Sequence, residues 1–180
     1  MSHTNDHIVT SFDEELNTLK TTISLMGGLV ESQLADALEA FRRRDTALAE
    51  HCQQTDHKTD ELEAQISQLA LQLLALRQPM AGDLRAIVVS LKIASDLERM
   101  GDNAKSIAKR AVTLSQLPEI SVVNGIARMT TLTQHLLTEM LDAYARSDLD
   151  RAMVVWRRDE EIDAMYTSIF RELLTYMMED

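Results

Sequence analysis

Three pairs of carboxylates, Asp56/Asp60, Glu98/Asp102 and Asp159/Asp163, stand four residues apart in stretches that read as helix. At that spacing both side chains of a pair lie side by side on one helix face. Like charges so placed repel by a few tenths of a kcal/mol, so a pair does not make its helix more stable. With the helix seam labelled a and d, each pair falls at e and b, on the same flank, and pairs from adjacent helices would face one another. Four converging carboxylates make an oxygen-only site for a hard cation (Fe(III), Mn, Mg or Ca rather than zinc), and binding would relieve their repulsion. Against this stands the ordinary role of acidic i,i+4 pairs as solvated surface, in a chain with 29 acids to place. Equal register of three pairs is what solvated surface does not predict. On the residues alone both readings stay open.

The elements that must position these pairs are helices. Five glycines, two prolines and 4% aromatics leave few breakers among abundant Ala, Leu, Met, Glu and Gln, which points to an all-α protein. Residues 1 to about 11 are polar and aperiodic and read as frayed. From Phe12, apolar residues at Leu16, Leu19, Ile23, Met26, Val30, Leu34, Ala37 and Phe41 give a long helix packed like a coiled coil. Gly27-Gly28 inside it reads as a tight packing spot or slight bend. Asp45 is the expected N-cap of a second helix, after Arg42-Arg43-Arg44 at the end of the first. Its seam is Leu48, Cys52, Thr55, Thr59, Leu62, Ile66, Leu69, Leu73 and Leu76, uninterrupted until the break at Gln78–Gly82.

The third helix, from about Leu84 to Leu114, carries the stretch SDLERMGDNAKSIAKR between Ser95 and Arg110. Leu97, Gly101, Ala104, Ala108 and Ala111 form a narrow stripe of mainly small side chains on which a neighbouring backbone can come close. Gly101 costs roughly 1 kcal/mol against alanine in a helix interior, a cost that a close neighbour or ligand would explain. Pro118 ends this unit. A fourth helix follows from about Ile120 to Tyr144, and a fifth runs from Ser147-Asp148 to the chain end.

The fourth and fifth helices repeat the first and second. DALEAFRRRD (Asp36–Asp45) matches EMLDAYARSD (Glu139–Asp148) without a gap, at an offset of 103 residues (148 − 45). The same offset carries Ile23 to Ile126, Met26 to Met129, Asp56 to Asp159, Asp60 to Asp163 and Ile66 to Ile169. The expected organisation is therefore a three-helix antiparallel bundle over residues 1–117 and a second, incomplete bundle of two helices over 118–180. A counterpart of the Gln78–Gly82 turn would begin past Asp180. An uncovered seam on the second unit is the consequence, with another copy of the chain, or neighbours in a crystal, expected to cover it.

Several functions are disfavoured. A net charge of −11 argues against nucleic acid and against anionic lipid. The single cysteine, Cys52, reads as a buried structural thiol in a reducing compartment. No leader and no apolar run of about 18 residues is apparent, so any membrane role is expected to run through a partner. His51 and His57 do not recur in the second unit and read as surface; Trp156 and Tyr166 read as packing. Neither a nucleophile–base arrangement, a glycine-rich phosphate loop nor the Glu-x-x-His spacing of di-iron bundles is visible, so an enzyme is the weaker class.

FDEELNTL at 12–19, RQPMAGDLR at 77–85 and LERMGDNAKSIAKR at 97–110 together resemble the PhoU family of bacterial phosphate-signalling regulators. The resemblance spans essentially the whole chain. It implies tandem three-helix bundles, a homodimer in many members, and surface multinuclear clusters of iron or other metals on E/DxxxD motifs, matched here by Asp56/Asp60, Glu98/Asp102 and Asp159/Asp163. It further implies a cytoplasmic, non-enzymatic negative regulator of the phosphate-starvation response that links the phosphate-specific ABC transporter, through its ATPase, to a sensor histidine kinase. The alternative carried beside it is a carboxylate-bridged metal protein, storing iron or acting as a metalloenzyme. Two departures stand out: Asn103 occupies a position where many members have histidine, and a second LERxGD element is absent, which leaves Asp159/Asp163 without an opposing pair.

Overall fold

The computed structural model describes residues 3–77, 79–118 and 122–179, and the described residues form seven helices. These are α1 (His3–Arg43), α2 (Thr46–Thr55), α3 (His57–Arg77), α4 (Ala81–Leu114), α5 (Val123–Arg146), α6 (Leu149–Arg157) and α7 (Asp159–Glu179). The chain turns after α1, α3, α4 and α5, whereas α2 leads on into α3 and α6 into α7, so the segments follow one another as in an up-and-down bundle. The apolar rhythm of α1 places Leu19, Ile23, Met26, Val30 and Ala37 in the core, against Ile66, Leu73, Ile87 and the small stripe of α4. With 41 residues α1 spans about 60 Å and serves as the common wall of the molecule.

Three expectations about the helices are corrected. The first helix begins at His3 rather than Phe12. No glycine or proline lies between the two positions, and each residue added to an existing helix gains a hydrogen bond. The second helix is interrupted at Asp56, where it becomes α2 and α3. Side chains there take up backbone carbonyls: Thr55 Oγ1 donates to Cys52 O at 3.0 Å and the His57 ring to Gln54 O at 2.6 Å. Asp56 itself keeps right-handed helical angles, so the seam continues through Cys52, Thr59, Ile66 and Leu73, although Leu76 is exposed. The fifth helix divides in the same way at Arg158, into α6 and α7. Gln78 and the expected fourth-helix start at Ile120 lie outside the described residues.

The repeat is matched down to the turn. Arg44 and Ser147, 103 residues apart, are the two non-glycine residues with positive φ among the described residues, at 56° and 54°. Next to them Asp45 and Asp148 cap α2 and α6, each accepting from a backbone N–H at 3.0 Å, Leu48 N and Arg151 N. Arg44 departs from its expected role at the end of α1: its guanidinium donates to Leu114 O (2.7 Å) and Leu117 O, closing the C-terminus of α4 instead.

The two units share a wall. Leu137, Leu141 and Tyr144 of α5 pack on the first core, and Thr138 donates to the Glu31 carboxylate on α1. Gly27 is the packing spot: a Cβ there would stand 2.6 Å from both Leu141 methyl carbons, whereas a Cβ on Gly28 would meet open space. Beyond α5 the second unit is thinly covered. Trp156 is 66% exposed, and Tyr166 stacks on Phe170 (centroids 6.3 Å apart) in the open, which corrects their reading as packing residues. No other described helix lies over the outer flank of α6 and α7 as α4 lies over α2 and α3.

Candidate functional site

The stripe Leu97, Gly101, Ala104, Ala108 and Ala111 is buried along α4, and it lets that helix sit against α1, α2 and α3. A Cβ on Gly101 would stand 3.1 Å from Gln33 Oε1 and 3.3 Å from Thr59 Cγ2, so the close neighbour suspected from its cost is α1 and α3 together. Beneath it Thr59 Oγ1 donates to Gln33 Oε1 at 3.1 Å, while the buried Gln33 Nε2 has no hydrogen-bond partner. Gln33 and Thr59 thus form a buried polar pair beneath Gly101.

That approach brings two of the three acidic pairs together. Asp56, at the α2–α3 junction, is only 3% exposed, while Asp60 and Asp102 are exposed and Glu98 half-buried. The Glu98 carboxyl is pushed above the ordinary glutamate range, first by burial, then by the charge of Asp102 and a hydrogen bond with it, then by Asp60 and Glu63. The pairs on α3 and α4 therefore face one another. Asp159 and Asp163 are exposed on α7, which packs on α5 and α6, and they do not join this cluster.

The oxygen-only donor set has the chemistry of a hard-cation site. Its arrangement does not fit a resident ion as it stands. Asp56 Oδ2 is held by Lys105 Nζ at 2.5 Å, and among the described residues no three acids, histidines or cysteines converge at a spacing that holds a metal. Cys52 lies nearby, buried, donating to Gln33 O at 3.5 Å. Burial, with Asp36 and Asp56 close by, pushes its thiol up to about 11, so it is inert as a nucleophile at neutral pH.

Comparison with known proteins decides the relationship. A profile described as the PhoU domain matches residues 23–111 and 126–180. The chain belongs to the PhoU family. It is 50% identical over 176 residues to the phosphate-specific transport system accessory protein PhoU homolog of Caulobacter vibrioides, covering 97% of this chain and 76% of that protein. Against the homolog of Rhizobium meliloti it is 47% identical over 182 residues, 100% of this chain and 76% of that one. The crystal structure of PhoU from Pseudomonas aeruginosa superposes with a TM-score of 0.91 at 38% identity, covering 94% of this chain and 81% of the other.

Within this PhoU fold, sequence reasoning missed Glu63 and Lys105. Both had a signal: Glu63 is three residues past Asp60 and Lys105 three past Asp102, on the same helix faces. The crowding around Glu98 has a measurable consequence. A carboxyl raised in the folded chain makes stability fall as pH rises from the unfolded glutamate value through the folded one. Glu98→Gln is expected to remove that fall and to gain a few tenths of a kcal/mol at neutral pH. Melting curves of both chains between about pH 4 and pH 7 test it, since the ordinary glutamate value is ≈ 4.3; a gap between them that does not widen with pH contradicts it.

Proposed function

We propose that this PhoU-family chain is a negative regulator of the phosphate-starvation response. In this reading it works in the cytoplasm as an adaptor, in homodimeric form, between the ATPase of a phosphate-specific ABC transporter and a sensor histidine kinase. The observation that carries the reading is similarity over almost the whole chain to proteins named phosphate-specific transport system accessory proteins. No helix among the described residues is long and apolar enough to cross a membrane, so contact with a transporter falls to the long helical faces. The alternative, a metal-binding bundle that stores iron or catalyses, turns on whether Lys105 yields its place to a metal ion.

The test is deletion of the gene in its own host, with a phosphate-starvation promoter read in abundant phosphate. Expression should rise at least about tenfold, equivalent to roughly 1.4 kcal/mol of lost control, and return on complementation with the 180-residue chain. A promoter that stays repressed in the deletion strain refutes the regulator.

A further inference from the structure

Asp60 and Glu63 of α3 and Asp102 of α4 lie near enough for their charges to act on Glu98, and Asp56, Asp60 and Asp102 near enough to act on Lys105. Lys105 enters the same face from α4. Its ammonium stands 2.5 Å from Asp56 Oδ2, and the two ends of this pair differ in surroundings, Lys105 being 46% exposed and the Asp56 side chain 4%. A carboxylate so deeply placed cannot be neutralised by water alone, and removing its partner would leave an uncompensated buried charge. The influence of the ammonium extends past this one bond. The hydrogen bond to Asp56 raises the Lys105 pKa most, burial opposes the rise, and the charges of Asp56, Asp102 and Asp60 add to it in that order.

A metal ion on this face would need oxygens from both helices drawn within about 2.0–2.6 Å of one point. An ammonium has no such requirement: it offers three donors and one charge, and it can neutralise Asp56 while the other carboxylates stay apart. That matches the arrangement found, in which Asp56 is paired and no metal-binding trio forms among the described residues. Asp159 and Asp163, the repeat equivalents of Asp56 and Asp60, are exposed and make no ion pair among the described residues.

We propose that Lys105 is the resident cation of the first unit, occupying the place from which a metal ion would bridge α3 and α4 and excluding that ion while it stays there. The inference is independent of the regulatory reading, since it concerns cation occupancy and is measured without partners.

The experiment uses the whole chain and Mn(II) as the probe, with calorimetric titration, the paramagnetic resonance of free Mn(II), and melting curves with and without the metal. The wild type is expected to bind Mn(II) weakly and to melt at the same temperature with it. Lys105→Met should bind at least about tenfold more tightly, the order expected when one adverse charge leaves a carboxylate cluster, and its melting temperature should rise with Mn(II). Lys105→Arg, which keeps the charge, should behave as the wild type. The proposal is overturned if the wild type binds Mn(II) as tightly as Lys105→Met, or if Asp56→Asn abolishes tight binding already present in the wild type. If Lys105→Met does not fold alone, helicity restored by Mn(II) supports the proposal, and failure to restore it overturns the proposal.

Discussion

Ile66→Ala is expected to lower the stability of the first bundle by about 4 kcal/mol, near the upper end for an isoleucine removed from a closed core. Ile66 is fully buried in the middle of α3, a helix packed against both α1 and α4. Neither wall can collapse into the space, because α1 also carries α5 and α4 is held close by its small-residue stripe. The repeat supplies the control. Ile169 is its equivalent and is 8% exposed, resting on Gly125 of α5, where a Cβ would come within 3.0 Å of its Cγ1. No α4-like helix covers it among the described residues, so Ile169→Ala is expected to cost only about 2 kcal/mol.

Cys52 distinguishes the two changes locally. Its buried thiol reacts only when the first bundle opens, so its labelling rate should rise by two to three orders of magnitude, roughly, in Ile66→Ala and little in Ile169→Ala. Equal acceleration in both variants would mean that the two bundles open as one cooperative unit, contrary to the expectation.

The helices were readable in sequence because their periodicity is written over many turns, and the repeat because Asp45 and Asp148 do the same capping job at a fixed offset. The breaks at Asp56 and Arg158 were not readable. Both leave the seam in phase, so the apolar pattern passes through them unchanged, and the evident agents at Asp56 are side-chain bonds from Thr55 and His57 that any helix could satisfy otherwise. At the candidate site, facing of the Asp56/Asp60 and Glu98/Asp102 flanks followed from heptad register. Which atom neutralises Asp56 did not, because Lys105 sits on a helix face that is mostly acidic and its reach across to α2–α3 depends on how closely α4 approaches. Trp156 and Tyr166 misled for a different reason: by the repeat offset they match Gln53 and Glu63, beside the seam rather than on it, and a lack of polar neighbours in sequence does not bury a side chain.

Gly101 sets that closeness, and enlarging it should have the second largest effect. Gly101→Leu is expected to destabilise the chain by about 3 kcal/mol, the upper range for overpacking a filled core. The first added carbon already stands 3.1 Å from Gln33 Oε1 and 3.3 Å from Thr59 Cγ2, and the further three carbons of leucine have nowhere to go except into α1 or α3. Gly101→Ala serves as the reference. Its helix-propensity gain of roughly 1 kcal/mol should offset a displacement of a few tenths of an ångström in the Gln33 side chain, leaving stability nearly unchanged. The larger change must lift α4 away, and in doing so it should part Lys105 from Asp56 and separate Glu98 from Asp60. Urea unfolding measures the first effect. The second is read from Glu98, whose carboxyl should return toward the ordinary range in Gly101→Leu and stay raised in Gly101→Ala, as followed by carbon-13 shifts of the glutamate side chains. A leucine variant that unfolds like the wild type and keeps Glu98 raised would show that α4 has slack at this position, and that the stripe of small residues is not what fixes the spacing of the two acidic flanks.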